Sequence, residues 1–161
     1  MKRISIFLLA AIMLLSLVGC ASTDIDPQEE NFYFTYNGTK ITLGAEAAPI
    51  IDALGEPRSY TEEPSCAFDG MDKTYYYGSF YLSTYPLDGK DYVYSIWFAD
   101  DSVATNDGIR IGTTKAQVEA ICGADCFDGT NAYIQVRGSF KLTVLMDEGA
   151  VSSIQYAQTF E

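Results

Sequence analysis

The sequence predicts an α+β fold with two tandem helix-plus-antiparallel-sheet repeats, preceded by a β-hairpin. The main observation behind this prediction is an internal duplication, because residues 126–157 resemble residues 66–99. The shared motifs are Cys66-Ala67-Phe68-Asp69-Gly70 with Cys126-Phe127-Asp128-Gly129, Gly78-Ser79-Phe80 with Gly138-Ser139-Phe140, and Ser95-Ile96 with Ser153-Ile154. A duplication of this kind indicates one structural unit used twice. A helix laid on one face of each small sheet then gives an α+β layer.

The β-hairpin is predicted at the start of the domain. Residues 32–36 and 39–43 are rich in strand-forming side chains, and Asn37-Gly38 lies between them. Asn-Gly favours a two-residue hairpin turn because both residues tolerate positive φ. The sequence therefore predicts two short paired strands ahead of the first helix.

Each repeat is predicted to open with one helix. Within residues 44–55, apolar side chains recur at the i, i+3, i+4 and i+7 spacing of one helical face. These side chains are Ala47, Ile50, Ile51 and Leu54. The corresponding stretch in the second repeat is 111–123. Thr114 and Gln117 have capping-box spacing there, so the second helix is expected to begin near Lys115.

A run of strands is predicted after each helix. The first repeat, with the hairpin, occupies residues 32–108, and its strands are expected at 65–69, 73–78, 79–86 and 91–99. The second repeat occupies residues 109–161, and its strands are expected at 125–127, 132–137, 138–146 and 150–157. Turn-forming residues separate the later strands, so each repeat is interpreted as an antiparallel meander.

The two repeats are predicted to differ on the sheet face that points away from the helices. Alternate residues of a strand point to opposite faces, which assigns Phe80 with Phe140 and Tyr76 with Val136 to the helix-facing side. The outward residues of the first repeat are then Tyr75, Tyr77, Tyr81, Tyr85 and Trp97, against Gln135, Arg137, Lys141, Leu145 and Gln155 in the second. Tyr and Trp bury a large area at little rotamer cost, so the aromatic set is interpreted as a binding surface. The alternative is internal packing of these rings, and a register slip of one residue would invert every assignment.

The first residues are predicted to be a secretory signal. A basic start and a nearly unbroken apolar run, residues 2–18, lead into Leu17-Val18-Gly19-Cys20, which resembles a bacterial lipobox. The resemblance implies removal of residues 1–19 and attachment of diacylglycerol to the sulfur of Cys20. Residues 20–31 are short, polar and acidic, and are interpreted as a tether. A transmembrane anchor is the alternative, although the apolar stretch is shorter than the ~20 residues that a span prefers.

The charge of the chain argues against two classes of partner. All 22 acidic residues follow Cys20, whereas two of the 10 basic residues leave with the signal, so the formal net charge falls from −12 to −14. Nucleic acid demands a basic surface, and a domain lying on anionic lipid demands the same. We therefore expect no nucleic-acid partner and contact with the membrane through the lipid alone. The simplest function of the acidity is solubility.

Residues that carry out catalysis or bind metals are scarce in this chain. It has no histidine, so Ser-His and Cys-His nucleophile pairs are excluded, and no paired CxxC spacing indicates zinc. We therefore predict no catalytic residues, no metal and no cofactor. Cys122 and Cys126 are a candidate disulfide, Cys66 with Cys126 is a second pairing, and three free thiols are a third possibility.

One short segment carries a family resemblance. Residues 109–115, Ile-Arg-Ile-Gly-Thr-Thr-Lys, with Val118 and Gly123, resemble the repeat opening of the SmpA/OmlA outer-membrane assembly lipoproteins and of the related β-lactamase-inhibitor-protein (BLIP) fold. The tandem arrangement looks more like BLIP. The overall character of the chain, with Asp69-Gly70, Lys73 and Asp91-Tyr92, also resembles that of lipoproteins of Gram-positive gut bacteria. The resemblance implies a protein without enzymatic activity that binds other proteins through its sheet and loops.

The expected function is therefore that of a non-enzymatic, lipid-anchored, extracytoplasmic protein-binding module. We expect the aromatic sheet face to contact an unidentified protein partner outside the cytoplasm, with the module anchored to the cell membrane of a Gram-positive bacterium. The alternatives are a structural cell-envelope component without an exposed ligand site and a carbohydrate- or peptide-binding lipoprotein. An enzyme that uses turn carboxylates such as Asp69 is a further alternative from another class.

Overall fold

The computed structural model describes residues 31–127 and 129–160. The predicted signal (residues 1–19), the lipidation site Cys20 and all but the last residue of the predicted tether lie outside the described residues. The strands and helices, in chain order, are β1 (Tyr33–Tyr36), β2 (Thr39–Thr42), α1 (Ala48–Leu54), β3 (Ser59–Pro64), β4 (Met71–Tyr76), β5 (Phe80–Leu87), β6 (Lys90–Phe98), α2 (Lys115–Cys122), β7 (Ala132–Arg137), β8 (Phe140–Asp147) and β9 (Ala150–Gln158).

The dominant element is one antiparallel sheet of seven strands. Its spatial order is β3-β4-β5-β6-β9-β8-β7, while β1 and β2 form a separate two-stranded hairpin. Two meanders, β3 to β6 and β7 to β9, meet where β6 pairs with β9. The paired residues at this junction are Ser95 with Ala157, Ile96 with Tyr156, and Trp97 with Gln155.

The predicted fold class is wrong. Strand accounts for 48% of the structure and helix for 12%, so the protein is mostly β and does not consist of two helix-plus-sheet repeats. The helices have only seven and eight residues, and each has one buried side chain, Ile50 in α1 and Val118 in α2. The physical reason is strand pairing. If each meander formed a separate sheet, its last strand, β6 or β9, would leave backbone N–H and C=O groups unpaired at an edge. Pairing of β6 with β9 satisfies those groups and merges the strands into a single sheet.

The hydrophobic core lies on one face of this sheet. The β1–β2 hairpin covers the middle of that face, with the ring of Phe34 at 5.2 Å from Phe80 and 4.9 Å from Phe98 between centroids. Phe32, at the start of the hairpin, lies 5.8 Å from Tyr156 of β9. The side chains with the lowest exposure are Phe34, Ile41, Leu43, Phe80, Leu82, Val93, Ile96, Phe98, Ile109, Val118, Val144 and Ile154. We call this side the covered face and the opposite side the open face.

Local sequence signals account for the turn and the second helix. Asn37 and Gly38 both have positive φ, 47° and 84°, in the turn that joins β1 to β2. In α2, the hydroxyl oxygen of Thr114 accepts from the backbone N–H of Gln117, and the Gln117 amide oxygen accepts from the backbone N–H of Thr114. This capping box satisfies two donors that have no partner inside the helix.

A glycine ahead of each helix joins that helix to the sheet. The backbone N–H of Gly44 donates to the carbonyl of Val93, and that of Gly112 donates to the carbonyl of Val151, each at 2.8 Å. Both glycines have positive φ, 76° and 85°, a conformation that disfavours any Cβ. They differ in their surroundings, because an added Cβ would lie 2.8 Å from Cζ of Phe140 at Gly44 and would meet nothing within 4 Å at Gly112.

This difference gives a matched pair of variants. Gly112→Ala is expected to lower the free energy of unfolding by about 1 kcal/mol through the positive φ alone. Gly44→Ala is expected to lower it by about 1 kcal/mol more, because the Phe140 ring must also move. Urea unfolding of both variants measures the difference. Equal losses in the two variants would contradict the close contact between Gly44 and Phe140.

Ionisation of Tyr156 is opposed by the fold. Its side chain is 2% exposed, and burial raises the pKa of its phenol, with a further increase from the negative charge of Asp107. A raised pKa means that the folded state holds the proton more tightly, so the stabilising contribution is complete below the unfolded pKa of about 10. It is then lost as the pH rises above that value towards the folded pKa.

Tyr156→Phe is therefore expected to reduce alkaline destabilisation. Between pH 8 and pH 11, the free energy of unfolding of the wild type should fall by about 1.4 kcal/mol more than that of the variant, because one unfolded phenol ionises over this range. Urea unfolding at both pH values measures the two falls. Tyr33→Phe, at a half-buried position, controls for the loss of one phenol. Parallel pH profiles for wild type and Tyr156→Phe would rule out the role of Tyr156.

Candidate functional site

The open face of the sheet carries a row of three stacked aromatic side chains. Tyr76 pairs with Tyr81 across β4 and β5, and Tyr81 pairs with Trp97 across β5 and β6. The ring centroids lie 4.5 Å and 5.5 Å apart, with interplanar angles of 22° and 24°. We call Tyr76, Tyr81 and Trp97 the aromatic ladder. Trp97 is 48% exposed, and its indole Nε1–H donates to the hydroxyl of Ser153 at 3.2 Å.

The turn between β4 and β5 determines which side chains reach this face. Gly78 and Ser79 form a two-residue connection, and the backbone N–H of Tyr77 donates to the carbonyl of Phe80 at 3.0 Å. Residues directly opposite each other in a sheet share a face. The pairing of Tyr77 with Phe80 therefore places Tyr77 on the covered face and Tyr76 on the open face.

Two of the five predicted aromatic residues are consequently on the covered face. Tyr77 is 8% exposed and stacks on Phe80 at 5.2 Å, and Tyr75 pairs with the buried Leu82. Burial raises the pKa of both phenols. The predicted face is wrong for this strand because alternation carried straight through Gly78-Ser79 ignores that the two residues flanking a turn share a face. Counting the Gly78-Ser79 loop as a two-residue turn identifies Tyr76 instead.

The predicted faces are also reversed for β7 in the second meander. Ile134 and Val136 of β7 lie on the open face, because Val136 pairs with Lys141 and Ile134 with Thr143. Their exposed fractions are 52% and 64%, and the neighbouring Leu145 of β8 is 42% exposed. We call Ile134, Val136 and Leu145 the aliphatic patch. The open face therefore carries apolar side chains in both meanders, aromatic in one and aliphatic in the other, whereas the sequence predicted a mostly polar second half.

The predicted inward and outward sides are reversed for two polar residues of β7. Gln135 pairs with the buried Leu142, and Arg137 pairs with Phe140. The guanidinium carbon of Arg137 lies 4.5 Å from the ring centroid of Phe32, which is a cation–π distance. Both residues therefore belong to the covered side, where Arg137 packs on Phe32 at the start of the hairpin.

Tyr85 lies near the open face but is buried beneath other aromatic rings. Its side chain is 8% exposed, with Phe68 at 5.0 Å and Phe160 at 5.1 Å between centroids. Phe160 also stacks on Tyr94 at 5.6 Å with an interplanar angle of 9°. Phe68 belongs to the β3–β4 loop and Phe160 to the C-terminal segment, and no sequence signal placed either of them against Tyr85.

The cysteines adopt one of the three predicted arrangements. Cys122 and Cys126 are joined by a disulfide, with Cα atoms 5.8 Å apart, and Cys66 is an exposed free thiol. The disulfide connects the last residue of α2 to the loop that precedes β7. It therefore constrains the entry of the chain into the edge strand that carries most of the aliphatic patch.

The described residues offer binding surfaces and little reactive chemistry. Across residues 31–127 and 129–160, no group of three or more His, Cys, Asp or Glu side chains is arranged to hold a metal ion. The closest ion pair in the same residues is Lys73 with Asp91 at 2.6 Å, which raises the pKa of the Lys73 ammonium group. In this part of the chain, no helix has both the length and the apolar character needed to cross a membrane.

Comparisons with known proteins gave no match. No protein-family model, no curated protein and no solved structure is significantly similar to this chain. The resemblance to the BLIP and SmpA/OmlA proteins therefore stays a prediction, and function must be argued from the open face itself.

Trp97 reports directly on whether the open face is free. It is the only tryptophan of the chain and it is half-exposed at the end of the aromatic ladder. Acrylamide is therefore expected to quench the fluorescence of the folded protein, at a rate between that of a free indole and that of a buried one. Free N-acetyltryptophanamide and the urea-unfolded protein provide the reference rates. Blue-shifted emission that acrylamide does not quench would show that other atoms cover this face.

Proposed function

We propose that this chain is a non-enzymatic, lipid-anchored, extracytoplasmic module that binds a protein through the open face of its sheet. The observation that carries the proposal is that one sheet face holds both the aromatic ladder, half-buried at Tyr76 and Tyr81 and exposed at Trp97, and the exposed aliphatic patch. Monomeric proteins rarely expose contiguous apolar surface without a binding role. In this protein the apolar side chains of the open face form two groups, the ladder on β4, β5 and β6 and the patch on β7 and β8. Strand β9 lies between them, with Ser153 and Gln155 on this face.

The dimensions of the face suit a protein partner. Seven strands at a spacing of about 4.8 Å give a width of roughly 29 Å, and strands of six to nine residues give a length of roughly 25 Å. The product, roughly 700 Å², is close to the ~800 Å² that each partner contributes to a standard protein interface. A small ligand would cover only a fraction of this surface.

The ladder is suited to act as the centre of such an interface. Tyr and Trp are enriched among the residues that dominate binding energy, because they bury large area with few rotatable bonds. Tyr76 stacks on Tyr81, and Tyr81 stacks on Trp97. Because this stacking already restricts the rotamers of the free protein, the rings lose less side-chain entropy on binding. The indole N–H of Trp97 is already satisfied by Ser153, so burying it leaves no unpaired donor.

Charge favours a partner that is basic around the contact. The chain has a formal net charge of −12, and removal of the predicted signal would make it −14. Complementary charge on the partner speeds the encounter and disfavours wrong partners more than it adds affinity. The apolar ladder and patch would then supply affinity, and the acidic surroundings would supply selectivity.

The anchor rests on the sequence alone. A basic start, the apolar residues 4–18 and the Leu17-Val18-Gly19-Cys20 motif support export and lipidation of Cys20. One diacylglycerol with a short tether would hold the domain beside the extracytoplasmic face of the membrane, with its sheet free to meet a partner.

Photo-crosslinking from defined positions tests the contact surface. The full-length chain would carry benzoylphenylalanine in place of Val136 on the open face, or in place of Ile121 on α2 as the control, in intact cells. The two side chains are exposed to a similar degree, 64% and 46%, but belong to different layers. We expect one protein to be crosslinked from position 136 and not from position 121. Crosslinking of the same protein from both positions would contradict a face-specific contact.

A double variant tests the role of the ladder in the same assay. Tyr81→Ala with Trp97→Ala is expected to abolish the crosslink from position 136, because the ladder supplies most of the buried area. Far-UV circular dichroism checks that the sheet persists in the variant. Tyr33→Ala with Tyr36→Ala, in the hairpin on the other side, is the matched control. A crosslink that survives loss of the ladder would contradict this assignment.

A further inference from the structure

A cavity of about 280 Å³ lies at the end of the open face remote from the aromatic ladder. Its floor is formed by strands β4, β5 and β6, and the β3–β4 loop and the C-terminal segment close over it. Four aromatic side chains form one part of its wall. These are Phe68, Tyr85, Tyr94 and Phe160.

The aromatic wall is held together by its own contacts. Phe160 packs edge-on against Phe68 at 5.3 Å and stacks on Tyr94 at 5.6 Å, while Phe68 lies 5.0 Å from Tyr85. The rings therefore come from a loop, two strands and the C-terminal segment. Faces of such rings carry negative electrostatic potential and attract cations that lack a full hydration shell.

The polar groups of the cavity are mostly engaged within the protein. The hydroxyls of Thr74 and Ser83 lie 3.2 Å apart and share a hydrogen bond. The hydroxyl oxygen of Ser65 accepts from the backbone N–H groups of Ala67 and Phe68 at 3.4 Å and 3.3 Å. The cationic Lys73 is bound to Asp91 at 2.6 Å. None of these groups has to change partner for a ligand to bind.

Two groups of the cavity lining have an unpartnered atom, and one of them is an acid. Among the described residues, Oδ1 of Asp72 is buried from solvent and has no hydrogen-bond partner, and the same is true of the hydroxyl oxygen of Thr84. Glu63 stands opposite Asp72 in the strand register. Both residues line the cavity. A buried carboxylate oxygen without a donor is costly, and a charge-assisted hydrogen bond from a cation removes that cost.

We propose that this cavity binds an organic cation, with the ammonium or guanidinium group hydrogen-bonded to Asp72 and the apolar stem against Phe68 and Phe160. Aromatic faces and a carboxylate together favour a cation over a neutral or anionic group of the same shape. The volume of about 280 Å³ suits a head group with a short stem, since it lies just below the roughly 300–1,000 Å³ of pockets for drug-sized molecules. The cation can belong to a free amine or to a lysine or arginine side chain of a protein partner.

A titration with three matched probes tests the proposal. n-Pentylammonium, 1-pentanol and pentanoate share one apolar stem and differ in charge. Each would be added to the ¹⁵N-labelled full-length chain in detergent micelles, with backbone amide shifts as the readout. We expect n-pentylammonium to cause saturable shifts confined to the β3–β4 loop and the neighbouring residues of β4 and β5. It should bind at least about tenfold more tightly than 1-pentanol, since charge-assisted hydrogen bonds are worth roughly 1.5–3 kcal/mol. Pentanoate should cause none of these shifts.

Two variants separate the role of the charge from that of the aromatic wall. Asp72→Asn keeps the shape and removes the charge, so it should reduce n-pentylammonium affinity to that of 1-pentanol. Phe160→Ala should weaken both probes severalfold, and because Phe160 is half-exposed and next to last in the chain it should leave the sheet intact. Asp88→Asn, in the β5–β6 turn, is the control and should change nothing. Equal affinity for amine and alcohol, or normal amine binding by Asp72→Asn, would overturn the proposal.

Competition identifies the source of the cation. If a partner's lysine or arginine occupies the cavity, n-pentylammonium should suppress the crosslink from position 136. If the natural ligand is a free amine, the crosslink should persist while the amide shifts are still seen. The free probe tests the cavity directly. Failure of n-pentylammonium to bind would therefore overturn the cation site without affecting the proposed contact at the aromatic ladder.

Discussion

Pairing of β6 with β9 is the interaction on which the rest of the structure depends. Only three residue pairs form it, yet they join two meanders that would otherwise each end in an unpaired strand edge. The pairing brings Phe98 and Tyr156 to 6.1 Å between ring centroids, and the hairpin residue Phe32 packs on the same tyrosine. One sheet, one core and one covered face follow from it. Without this junction, each meander would have to bury its apolar side chains under a single short helix.

The two faces of the sheet differ because most of the covering elements in residues 31–127 and 129–160 pack on one of them. The hairpin, both helices and the segment around Ile109 all contribute to the core on the covered face. On the other face, the β3–β4 loop and Phe160 are the elements within the described part of the chain that fold over the strands, and they do so at one end. The remainder keeps its apolar side chains exposed. This division produces both features of interest, an open apolar surface and, where the cover begins, a cavity with one unpartnered carboxylate oxygen.

Alternation along the sequence predicts the faces of strands β5 and β6 correctly and those of β4 and β7 wrongly. Tyr81 and Trp97 lie on the open face as alternation predicts, although Tyr85 on the same side is buried. Phe80, Leu82 and Ile96 are buried, as are Leu142 and Ile154 in the second meander, whereas Phe140 is half-buried. For β4, alternation carried straight through the two-residue turn assigns Tyr75 and Tyr77 to the wrong side, because the two residues that flank such a turn share a face. The Gly78-Ser79 turn is a local signal, so the sequence contains the information that places Tyr76 on the open face. The positions of Phe68 and Phe160 were not predictable in the same way, since their contact joins residues more than ninety positions apart in the chain.

The sequence by itself determined the local elements of this protein. The Asn37-Gly38 turn, the capping box of Thr114 and Gln117, and the alternation along β5 and β6 all depend on dihedral preferences and hydrogen bonds within a few residues. The tertiary structure decided how those elements combine: that the meanders merge at β6 and β9 into a mostly β fold, and that the hairpin covers one face while the other stays open. The physical reason is that strand pairing and core burial join residues far apart in the chain. Their free energy depends on the edges and faces left unsatisfied by every other element, which no local pattern records.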